Sequence, residues 1–73
     1  MLTTDELVLL EVRIEAALPP GYRINIFRRG PGSLAIYQIH ELLLNPLTVV
    51  KSPELETEIE AIIEEVRLLV LFE

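Results

Sequence analysis

Apolar residues near the start of the chain fall into two arcs of a helix rather than one. Thr3, Thr4, Asp5 and Glu6 supply a cap and an acidic first turn, L-V-L-L-E-V-R-I-E-A-A-L follows, and P-P-G ends it. That pattern predicts a helix over residues 5–18. At about 100° per residue, Leu7, Leu10, Ile14, Ala17 and Leu18 share one arc, and Val8, Leu9, Val12 and Ala16 share a second. A single core-facing stripe needs only the first arc. The second requires cover, from deeper in the domain or from another subunit.

The next segments, Y-R-I-N-I-F-R and S-L-A-I-Y-Q-I-H, are rich in β-branched and aromatic residues and flank R-G-P-G. They predict an antiparallel hairpin. With a loop of Arg29 to Gly32, Arg28 opposes Ser33, Ile26 opposes Ala35, Ile24 opposes Tyr37 and Tyr22 opposes Ile39. Side chains alternate along a strand, so this register gathers Tyr22, Ile24, Ile26, Ala35, Tyr37 and Ile39 on the core face. The opposite face then carries Arg23, Asn25, Gln38 and His40 towards one end and Phe27, Leu34 and Ile36 towards the turn.

Residues 41–52 read less regularly. Asn45-Pro46 predicts a break, with a short helical turn at 41–44 and an extended piece at 47–50 that could form a third strand. S-P-E-L-E then opens a second helix, with Ser52 as cap and Pro53 at the first helical position, running to about residue 71. Leu55, Ile59, Ile62, Ile63, Val66, Leu69 and Val70 form its core stripe. Leu68, Leu71 and Phe72 fall off that stripe, so the last turn is apolar nearly all round.

The expected fold is therefore α+β, a single domain over residues 1–73 of order α-β-β-(β)-α, an antiparallel hairpin with both helices packed on one face. Composition sharpens what this fold must do. Hydrophobic residues make up 51% of the 73, already above the ~45–50% that usually includes glycine. A domain this small buries only about 60% of its unfolded surface. Leaving a Leu or Phe exposed forgoes roughly 1.5–3 kcal/mol, and contiguous patches of that kind are sticky. The second arc of helix one, the mixed outer face of the hairpin and the last turn of helix two all point to burial between identical chains. The expected contact residues are Val8, Leu9, Val12, Phe27, Leu34, Ile36, Leu68, Leu71 and Phe72.

Candidate chemistry is sparse. The chain has no cysteine, so neither disulfides nor thiolate metal sites are expected. His40 is the only histidine, and His40-Glu41 is not followed by the second histidine of H-E-x-x-H. The acidic run E-L-E-T-E-I-E-A-I-I-E-E lacks both a calcium-hand loop and a Glu-x-x-His pair. R-R-G-P-G lacks the phosphate-loop pattern, and no serine, threonine or lysine has an evident base. The expectation is a protein without catalytic, cofactor or metal residues. A catalytic alternative would need a pocket converging on His40, Glu41 and Arg23.

The net charge of −6 disfavours duplex nucleic acid, whose binding depends on Lys and Arg displacing counterions. No apolar run approaches the ~18 residues of a membrane span, and no signal-peptide pattern opens the chain. A soluble, cytoplasmic protein with no nucleic-acid or membrane partner is expected. A different class of function remains open: a natural acidic inhibitor or adaptor that docks its Glu-rich helix on a basic partner protein.

The local signals agree at every level: T-T-D-E before helix one, L-P-P-G-Y after it, S-P-E-L-E opening helix two, and binary patterning matched to each element. In this the chain resembles computationally designed small αβ proteins, a class rather than a homologous family. It departs from that class in having Lys51 as its only lysine and in the irregular connection N-P-L-T-V-V. The resemblance implies an assembly made for its architecture, with no ligand or reaction.

Overall fold

Helix α1 (Thr4–Ala16) is followed by three strands, β1 (Arg23–Gly30), β2 (Ser33–His40) and β3 (Leu43–Lys51), then a 3₁₀ turn at Leu55–Thr57 and helix α2 (Ile59–Leu71). The computed structural model describes residues 2–52 and 54–72. The strands form one antiparallel sheet in the order β1-β2-β3. Both helices pack on the same face of it, giving the α+β architecture that the patterning predicts.

A capping box starts α1. Thr3 Oγ1 accepts the Glu6 N–H at 3.2 Å while Glu6 Oε1 accepts the Thr3 N–H at 2.9 Å, so two donors left free by helix geometry are satisfied reciprocally. The helix ends two residues earlier than expected, because Pro19 disfavours helical backbone at Leu18. Leu18 still turns into the core, where Leu7, Leu10 and Ile14 are also buried.

The hairpin register differs by one residue from the expected one. Ile26 pairs with Ile36, Phe27 with Ala35 and Arg28 with Leu34, and the ladder is irregular between Arg28 and Gly30. The turn consists of Pro31 and Gly32 alone, with Gly32 at φ 65°, as a type II turn requires at its second central position. Such a turn splays strands of right-handed twist. The bulge at Arg29, with Gly30 at φ 152°, adds the local twist that rejoins them. The consequence reaches the whole sheet: Leu34 and Ile36, expected outside, join Ile24 and Ile26 in the core, while Ala35, Tyr37 and Ile39, expected inside, move to the outer face.

These four sheet residues are between 0% and 6% exposed and lie in one cluster with Ile62, Ile63, Val66 and Val70 of α2 and the buried residues of α1. Each contributes about 1.5–3 kcal/mol of burial. No buried polar or charged residue interrupts the cluster among the described residues.

Along β1, α1 also closes the edge of the sheet. Glu11 Oε2 accepts the Ile26 N–H at 2.8 Å and Glu15 Oε2 accepts the Ile24 N–H at 2.9 Å. Four residues of helix rise about 6 Å and two of strand about 6.7 Å, so an i, i+4 pair of carboxylates matches alternate strand amides when the two elements run antiparallel. A strand edge that would otherwise offer donors to another chain is capped from within.

Residues 41–51 correct the expectation of a helical turn and a break. Glu41, at φ 56°, and Leu42 form a tight turn, and β3 runs straight on from Leu43. Pro46 sits within this strand, opposite Tyr37, and a bulge at Leu47 follows it. An edge strand tolerates proline because the missing N–H need not serve a ladder. The long helix start expected at Ser52 is also shorter in fact. Ser52 Oγ caps the Glu54 N–H at 3.1 Å, a 3₁₀ turn follows, and α2 itself begins at Ile59; Pro53, the expected first helical position, lies outside the described residues. The core stripe holds as expected for Leu55, Ile62, Ile63, Val66 and Val70, but Leu69 is 39% exposed.

Candidate interaction surface

With both helices on one side, the other face of the sheet is bare. Its register brings together Phe27, Ala35 and Val49 across all three strands, with Asn25, Tyr37 and Pro46 in the next row and Arg23, Ile39 and Leu44 beyond. Phe27 and Tyr37 meet edge to face, ring centres 5.6 Å apart at 75°, a favoured geometry for aromatic pairs. Phe27, Val49 and Leu44 are 45%, 42% and 46% exposed. Ala35 is buried on this side only because larger neighbours flank it, and it takes no part in the core cluster. The result is a shallow apolar face, low in the middle over Ala35.

The three strands contain no Asp or Glu. Arg23 stands at one end of the outer face and Lys51, paired with Ser33, at the other. Arg29 is exposed in the bulge, and with Lys51, Ser33 and Ser52 it lines a broad open depression around the Pro31-Gly32 turn. Arg28 is used internally: its Nη2 donates to the Leu2 carbonyl and fastens the N-terminus over β1.

The helix layer presents the second apolar surface. Val8, Leu9 and Val12 are more than half exposed, and Leu68, Leu71 and Phe72 are exposed at the end of α2. Taking Ile14 as the centre of the buried stripe, Val8, Leu9 and Val12 lie on the far side of α1, with Glu11 and Glu15 between the two arcs on the β1 side. On the side towards α2, Arg13 pairs with Glu60. On α2, Arg67 binds Glu64; this hydrogen bond and the guanidinium charge hold the Glu64 carboxyl below its ordinary range and raise Arg67 in turn.

Seven of the nine expected contact residues are thus on the surface, Phe27 on the sheet face and the other six on the helix layer. Leu34 and Ile36 are 2% and 0% exposed and have no surface to offer; the one-residue register change removes them. Tyr37, Ile39, Leu44 and Val49 take their place. With Ile26 opposite Ile36, the face of Ile24 and Ile26 gains Leu34 and Ile36 and the tyrosine hydroxyl goes to the other side, but no local signal in the sequence chooses this register over a four-residue loop.

His40, Glu41 and Arg23 do not converge. Arg23 shares the outer face with Ile39, whereas His40 follows Ile39 and falls on the other side of the sheet; all three are exposed. Among the described residues no group of three His, Asp or Glu could hold a metal ion, and no helix is long and apolar enough to cross a membrane. Compared with protein-family models, curated proteins and solved structures, the chain matches none.

Proposed function

We propose that this chain is a non-enzymatic self-associating module, a homo-oligomer whose contact includes the bare face of its sheet. One observation carries the reading: an antiparallel sheet with an aliphatic core on one side presents Phe27, Tyr37, Ile39, Leu44 and Val49 on the other, with no carboxylate in any strand. Antiparallel sheets that face water carry polar residues there. A continuous apolar face of this kind gains stability when a partner covers it.

The capped edge of β1 supports contact through the face. With Glu11 and Glu15 occupying the Ile26 and Ile24 amides, strand addition at that edge would have to displace two hydrogen bonds, whereas docking on the face displaces only water. The test is the mass in solution of Phe27→Glu combined with Val49→Glu, read by light scattering. The reading expects a lower mass than that of the unaltered protein. An unchanged mass removes the sheet face from the contact.

The Glu-rich helix supports a second reading, in which α2 docks on a basic protein. Glu58, Glu60, Glu64 and Glu65 are exposed along it, and such docking weakens as salt screens it.

A further inference from the structure

The self-association proposed above leaves open which surface covers the sheet face, and the distribution of charge answers it. The strands hold four of the six cations, Arg23, Arg28, Arg29 and Lys51, and no anion. Residues 4–16 and 54–71, the helix layer with its lead-in, hold ten of the twelve acids and only Arg13 and Arg67 against them. Arg28 is turned to the helix side, where it holds the Leu2 carbonyl, and Glu41 stands in the β2–β3 turn. The outer sheet face itself carries Arg23 and Lys51 and no acid, against a helix layer that is strongly acidic.

Two sheet faces brought together about a two-fold axis would set Arg23 and Lys51 of one copy against those of the other with no carboxylate in either strand set to compensate. Like charges facing one another across a drying contact oppose it. The helix layer offers the opposite sign around apolar residues of its own: Val8, Leu9 and Val12 on the far side of α1 from the core, beside Asp5, and Leu68, Leu71 and Phe72 one turn beyond Glu64 and Glu65 on α2.

Resting on that reading, we propose that copies of this chain stack head to tail, the outer sheet face of one docking on the helix layer of the next. The basic surface that fits the Glu-rich helix is then the chain's own sheet. Because the two contact surfaces lie on opposite sides of one molecule, the contact is heterologous, and it propagates into a ring or a filament rather than stopping at a two-fold dimer.

Complementation between two variants decides this. In the sheet variant Phe27→Glu is combined with Val49→Glu; in the helix variant Val12→Glu is combined with Leu68→Glu. All four positions are at least two-fifths exposed, and where circular dichroism shows loss of fold, serine replaces glutamate. Sedimentation of each variant alone should give the single-chain mass of 8.3 kDa, and an equal mixture should give a two-fold heavier species that grows no further, since one intact sheet face meets one intact helix layer. A helix variant that assembles like the unaltered protein, or a mixture that stays at single-chain mass, overturns the head-to-tail arrangement while self-association stands. An unaltered protein that is itself a single chain at every concentration overturns both.

Discussion

Glu15 on α1 accepts the backbone N–H of Ile24 on β1 at 2.9 Å, so a helix side chain serves the sheet where a fourth strand would otherwise bind. The bond is charge-assisted and partly buried, the class that contributes about 1.5–3 kcal/mol. Glu15→Ala should lower stability by about 1–2 kcal/mol in urea titrations at one fixed protein concentration. Glu15→Gln, which keeps an acceptor oxygen, should lose less. Amide exchange at Ile24 should quicken in the alanine variant, and an unaltered rate there would show that the carboxylate does not protect it.

The hairpin register separates Ile36 from Ile39 by face. Ile36 is fully buried between the sheet and the helices, so Ile36→Ala should cost about 2–5 kcal/mol, a large part of a small domain's total. Ile39→Ala, on the outer face, should cost less than about 1.5 kcal/mol in protein dilute enough to be monomeric. Reversed magnitudes would indicate the register with Ile26 opposite Ala35.

Gly30 holds φ 152° in the bulge that sets this register, and a Cβ there meets no atom within 4 Å. The obstacle to substitution is backbone conformation alone. Gly30→Val should therefore destabilise by about 1–3 kcal/mol with no steric clash to relieve. Thermal unfolding measures the loss, and a variant as stable as the unaltered protein would mean that the bulge is not held in this conformation.

Acid should release the Glu64–Arg67 pair. Its hydrogen bond to Arg67 holds the Glu64 carboxyl below 4.5, so the pair's contribution is present above that value and disappears as pH falls through the lowered one. The pair lies at the surface in contact with solvent, so the effect is small and salt-sensitive. Glu64→Gln should differ from the unaltered protein at neutral pH and converge with it in acid, as read by denaturant midpoints across pH; a gap that widens in acid would contradict the assignment.

The elements were legible in the sequence because each rests on a local signal. Thr3 and Glu6 announce a cap, and the stripe of Ile62, Ile63, Val66 and Val70 announces a buried helix face. Register was not legible in the same way, because it depends on whether Arg29 to Gly32 forms a four-residue loop or a two-residue turn plus a bulge. A single residue of difference there exchanges Leu34 and Ile36 for Tyr37 and Ile39. Pro46 misled for a related reason: proline forbids a central strand, but only tertiary placement decides that β3 lies at the edge. The surplus of apolar surface was legible from Val8, Leu9, Val12 and Phe72, whereas its location on the sheet had to wait for the register.

Sedimentation equilibrium of the unaltered chain, from micromolar concentrations upward, tests the central claim most directly. The account predicts a mass above 8.3 kDa that increases with concentration. A single species at 8.3 kDa throughout the range would contradict it.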